Sequence, residues 1–235
     1  MCLRARGSGW RAVAPASIGP QLKRGPLGAI HTLRMDLGPL SYVGPSLDDV
    51  EILPRLPASY TRLLASRNGF IAFDGGLHVR GACLEPAWHS LRSALDGPDA
   101  LHDLFSEIGP DDVPFGEDAL GDQFILRAGV VYRLRAESDE LTSLTLDLDG
   151  FLAAAAADPV EFLALQPLLN FHAKGGRLTP GQLLSVYPPF VFKESGADAS
   201  LRAVPAIERL RFLAQLARHV REAPEGTKIH FKIKE

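Results

Sequence analysis

The side chains best suited to chemistry lie between residues 78 and 122. His78, Cys83 and His89 are metal-binding types close together in the chain. Their spacing matches no structural zinc pattern, and a lone histidine alternating with apolar residues on a strand usually faces water. The adjacent acids Asp111-Asp112 and Glu117-Asp118 are the types that serve as general acid and base or hold a divalent cation. Neighbours on a strand point to opposite faces, so neither pair converges on one substrate without a bulge. The stretch NGFIAFDGGLHVRG, residues 68–81, holds glycine clusters of the sort that cradle phosphate. These glycines lead into a strand-like alternation, so no helix N-terminus meets an anion there. The letters Gly7-Ser8-Gly9-Trp10-Arg11-Ala12 fit a dinucleotide fingerprint, but no strand precedes them and no acid follows about 20 residues on. G-x-x-x-x-G-K-[ST], G-x-S-x-G and H-E-x-x-H do not occur. The residues assign no catalytic group, cofactor or metal, and the chain reads as a non-enzymatic binding protein.

Charge says more about partners. Residues 1–34 carry six basic groups and no acid, leaving 19 basic against all 28 acidic groups in residues 35–235, about −9. An acidic body repels nucleic acid and speeds association with a basic protein. Glu107, Asp111, Asp112, Glu117, Asp118 and Asp122 follow one another without a Lys or Arg, and Glu137, Asp139 and Glu140 come next. They form either a docking surface for a basic partner or an ordinary solvated face. No window approaches the roughly 18 apolar residues of a membrane helix. Two cysteines, Cys2 and Cys83, make no disulfide framework, which points to a reducing cytoplasm.

The elements that must position these residues are legible in outline. Residues 1–34 lack apolar periodicity and read as a disordered basic tail or as residues preceding a true start at Met35; no apolar core marks a secretory signal. Pro57 to Ala65 reads as a helix ended by Asn68-Gly69, and Phe70–Phe73 as a buried strand. Asp74-Gly75-Gly76 turns into a second strand, Leu77–Arg80. A helix is expected from Glu85 to Leu95, using Trp88, Leu91 and Leu95. Strands at 123–126, 130–134 and 143–148 form an antiparallel meander. Helices are expected at 151–157, at 160–169 and after Pro205, where Ile207, Leu210, Leu213, Leu216, Ala217 and Val220 recur at helical spacing. Residues 228–234 alternate Ile and Phe with Lys and His, the pattern of a final edge strand.

The order Leu56-Pro57, Tyr60, Asn68-Gly69, Phe73, Gly75-Gly76-Leu77, Phe115, Gly121-Asp122, Gly129-Val130-Val131-Tyr132 and Leu148, Phe151-Leu152 resembles the SUKH superfamily, related to the Smi/Knr cell-wall assembly regulator. The resemblance spans about residues 46–157, with residues 158–235 as an extension packed on the same domain. It implies an α+β fold, an antiparallel sheet of about five to six strands flanked by helices, and no catalytic centre. It also implies a bacterial immunity protein that binds and neutralises a partner toxin, frequently a nuclease. The alternative of the same fold is a housekeeping scaffold, and an enzyme ranks third.

Overall fold

The computed structural model describes residues 1–3, 37–196, 198–223 and 227. The expected strand at 228–234 and most of the basic segment lie outside them. Leu3 is buried, and it pairs with Phe192 and packs with Leu216.

The chain is α+β. Among the described residues, seven antiparallel strands lie in sequence order: β1 (Leu40–Val43), β2 (Phe70–Ala72), β3 (Leu77–Val79), β4 (Val113–Asp118), β5 (Gln123–Arg127), β6 (Val130–Arg135) and β7 (Glu140–Leu146). The sheet is wider than the five or six strands expected, because β1 lies in a segment with no readable alternation. A separate hairpin, β8 (Gln182–Tyr187) with β9 (Ser200–Pro205), was also invisible in the sequence.

From β2 to β7 each strand pairs with the next in the chain, through short turns except between β3 and β4, where residues 80–112 intervene, and the turn chemistry explains several of these connections. Phe73, Asp74 and Gly75 all have positive φ between β2 and β3, as do Ala128 and Gly129 between β5 and β6. Helix α1 (Ala58–Ser66) starts behind Pro57 and stops before Asn68-Gly69, where Gly69 has φ +77°. The expected helix 85–95 is shorter. Gly81 donates to the His89 carbonyl and accepts from Leu91, holding the preceding residues against β3, so α2 (Leu91–Asp96) begins at the Ser90 cap. Trp88 therefore stands outside the helix. After α3 (Leu101–Leu104), the chain reaches α4 (Leu148–Ala157), whose Asp147 cap accepts from Gly150. The helix read over 160–169 is two pieces, α5 (Pro159–Phe162) and α6 (Gln166–Ala173), broken where Ala164 takes φ +54°.

Both faces of the sheet are covered. On one, Tyr60, Phe115, Phe124 and Phe151 pack together, with Phe124 and Phe151 ring centres 4.6 Å apart. On the other, Ile125 and Leu134 meet Leu183 and the stripe Leu210, Leu213 and Ala214 of α7 (Ala206–Glu222). Alternation along β5 sends Phe124 and Leu126 to the first core and Ile125 to the second, the period-two logic of a strand between two cores. Ile207, expected on the buried stripe, is exposed; Ala206 and Arg209 turn inward instead.

Candidate functional site

A row of side chains crosses the second face of the sheet. Register pairs Tyr42 with Ile71, Ile71 with His78, His78 with Glu117 and Glu117 with Gln123. Glu117 reaches this face because the register of β4 shifts between Pro114 and Gly116. The inserted residue leaves Phe115 in the aromatic core and turns Glu117 away from it, the re-aiming that a β-bulge provides.

The polar members of the row are sealed from water and lie in hydrogen-bond contact with one another. Glu117 is 2% exposed, and its Oε1 accepts from His78 Nδ1 at 2.9 Å. Arg80 Nη2 donates to Glu117 Oε2 and to Gln123 Oε1, both at 2.9 Å, while Nη1 donates to the Pro114 carbonyl. Gln123 Nε2 donates to Glu117 Oε2 and to the Gly121 carbonyl. Beyond His78, its Nε2 lies 2.9 Å from His89 Nδ1, and His89 Nε2 lies 3.1 Å from the Asn68 carbonyl. Burial raises the Glu117 carboxyl, but Arg80 and His78 outweigh it and bring it down to about 2. Burial lowers both imidazoles, His89 to about 4. Trp88 lies tilted against both histidines, with ring centres 5.3 and 5.4 Å away, and Tyr42 lies 5.0 Å from His89. His78, Glu117, Trp88, Ser41 and Thr179 border a shallow recess.

The row ends on the Asn68 turn. Asn68 Nδ2 donates to the carbonyls of Pro45 and Ala82, and its Oδ1 accepts from the Ala82 amide. Backbone approach is so close that a Cβ at Gly44 would stand 1.9 Å from the Asn68 oxygen, and one at Gly69 would stand 2.5 Å from the His89 ring. Asn68-Gly69 thus ends α1, and it also fastens the segments 44–49 and 81–85 to the sheet.

His78 does not face water as its alternation suggested, because the Trp88 and His89 rings and Glu117 close around it. His78 and His89 meet each other, while the Cys83 thiol is buried and pushed up to about 11 by burial. Among the described residues, no group of three His, Cys, Asp or Glu side chains is arranged to hold a metal ion. No helix among them is long and apolar enough to cross a membrane.

The acids do not gather into one surface patch. Asp112 is buried against Arg127, Asp118 and Asp122 share Arg133, Asp139 pairs with Arg221, and Glu137 lies 3.6 Å from Arg209. All five of these carboxylates also accept backbone amides: Asp112 from Gly109, Asp118 from Leu120, Gly121 and Asp122, Asp122 from Ala136, Glu137 from Val191, and Asp139 from Ser106. They are internal staples. Glu107, Asp111 and Glu140 remain exposed. Of the other signature residues, Tyr60 donates its hydroxyl to the Arg80 carbonyl at 2.6 Å. Tyr132 packs beneath the Arg127 guanidinium. A Cβ at Gly76 would press on Leu165, and one at Gly121 on Leu213.

No family model and no curated protein matches the chain. Among solved structures, Atu4351 from Agrobacterium tumefaciens aligns at 17% identity and a TM-score of 0.46, over 74% of this chain and 81% of that one.

Proposed function

We propose that the chain is a non-enzymatic, cytoplasmic binding module of the immunity-protein kind, which neutralises a basic partner toxin by covering it. One observation carries the reading. Val43 at the end of β1, Val50 at the start of a 3-10 turn and Leu84 are 57, 62 and 55% exposed on or beside the two segments that Asn68 ties together at Pro45 and Ala82. The loops abut: the amides of Asp48 and Asp49 donate to the Ala82 carbonyl, and Leu84 donates to Asp48. Exposed Asp48, Glu51 and Glu85 lie on the same segments. An apolar centre with a charged rim is the anatomy of a protein interface, and the excess of about nine negative charges over residues 35–235 would steer a basic partner onto it. A nuclease fits that charge, because the face that grips phosphates must be basic. The SUKH-like order of motifs supports the same direction.

The test is co-production with the toxin encoded beside this gene. Restored growth and a copurifying complex are expected. A neighbouring gene that encodes no toxin, or growth arrest that this chain leaves unchanged, would remove the proposal.

A further inference from the structure

We infer that His78 and His89 form a one-proton site: two buried imidazoles that take up a single shared proton on acidification and thereby fasten the Asn68 turn. The proton site stands without any partner, whereas its consequence for binding rests on the docking surface proposed above.

The argument is a count of hydrogens. The line runs from Glu117 Oε1 through His78 Nδ1, His78 Nε2, His89 Nδ1 and His89 Nε2 to the Asn68 carbonyl, with contacts of 2.9, 2.9 and 3.1 Å. An ionised carboxylate and a carbonyl only accept. Each of the three contacts therefore needs a hydrogen, and two neutral imidazoles bring two. Ionised Glu117 claims the Nδ1 hydrogen of His78, so His78 Nε2 becomes an acceptor. His89 then has one hydrogen for two acceptors. Given to His78, it leaves a bare nitrogen against the Asn68 carbonyl; given to Asn68, it sets two lone pairs face to face. One added proton completes all three contacts. Turning the His89 ring over would put C–H groups in both places and forfeit two hydrogen bonds in a buried site.

The surroundings fix where this proton goes on. From β4, Glu117 favours it, and Asp118 borders the same recess while engaged by Arg133 of β6. From the end of β3, Arg80 opposes it. Tyr42 of β1, Tyr60 of α1 and Cys83 of the following loop all have their ionisation raised by burial and stay neutral. The rings of Trp88 and Tyr42 lie close enough to stabilise an imidazolium. Burial and Arg80 set uptake on the acid side of the ordinary histidine range. Above it, the neutral pair gives up the longest contact, that to Asn68, and the turn holding Pro45 and Ala82 loosens.

The imidazole nitrogens of the isolated protein, followed by long-range proton–nitrogen NMR from pH 8 to 4, test this directly. At pH 7.5, Nδ1–H is expected on both rings. On acidification the pair should take up one proton in a single step well below 6.5, ending with both His89 nitrogens protonated. Amide protection of Ala82 and Gly44, relative to Ile125, should rise through the same step. Nε2–H on His78 at pH 7.5, two separate titrations near 6.5, or protection that ignores the step would overturn the inference. If the titration is as expected but Leu84→Asp leaves partner binding intact, the docking surface falls and the proton site stands.

Discussion

Replacing Glu117 by Gln tests the account of the buried row most severely. The side chain keeps its shape and loses the one negative charge that faces Arg80 and His78. Arg80 is 3% exposed, and it would keep Gln123 and the Pro114 carbonyl as uncharged partners, leaving a guanidinium buried without a counter-ion. Removing one member of a buried ion pair typically costs about 3–5 kcal/mol. Against the roughly 5–15 kcal/mol that holds most domains folded, that is a large share. For a chain of this size, it lowers the melting temperature by roughly 6–20 °C. Urea unfolding followed by circular dichroism measures the loss. A second arm separates charge from shape: the double variant Arg80→Met with Glu117→Leu carries no orphaned charge, so it is expected to be more stable than Glu117→Gln alone. A single variant within about 1 kcal/mol of the wild type, or a double variant whose loss equals the sum of its two singles, would refute the reasoning.

The remaining expectations concern acid, turns and the core. The folded pKa of His89, about 4, lies under its ordinary value of 6.5, so the unfolded chain binds more protons between them. Stability is therefore full above pH 6.5 and falls as pH drops towards 4, by up to about 3 kcal/mol, with Glu117 adding a further loss below pH 4.5; unfolding curves across this range would show it. Gly75 has φ +100°, and a Cβ there would meet Leu178 at 3.1 Å, so Gly75→Val should cost roughly 1–3 kcal/mol. If that variant melts like the wild type while partner binding vanishes, the turn is not structural. Phe151→Ala removes the ring shared by Phe115, Phe124 and Phe162, and should cost about 3–5 kcal/mol by calorimetry.

What the sequence made legible was local. The end of α1 at Asn68-Gly69, the turn at Gly75, the β5–β6 turn at Gly129 and the apolar stripe of α7 all rest on residues whose preferences act within a few positions. The missed features depend on the partner strand. His78 and Arg80 alternate with Leu77 and Val79 as a half-exposed strand would, and it is residues later in the chain that enclose them, Trp88, His89 and Glu117 around His78 and Glu117 and Gln123 around Arg80. One signal was present: Phe70–Ala72 is apolar on both faces, which implies that its neighbour β3 is covered on both faces as well. Glu117 meets His78 through a register set by the β4 bulge, which no spacing within the chain reveals. The acidic run misled for a related reason, since Arg127, Arg133 and Arg221 arrive from later in the chain to occupy its carboxylates.

The most direct measurement of the central claim is calorimetric titration of the neighbouring toxin into the wild type and into Leu84→Asp. Leu84 is 55% exposed, so this change should leave the melting temperature within the scatter of other surface substitutions. The account expects tight binding by the wild type, weakening as salt rises, and at least about tenfold weaker binding by the variant. Equal affinity for both proteins, or no binding by the wild type, would contradict it.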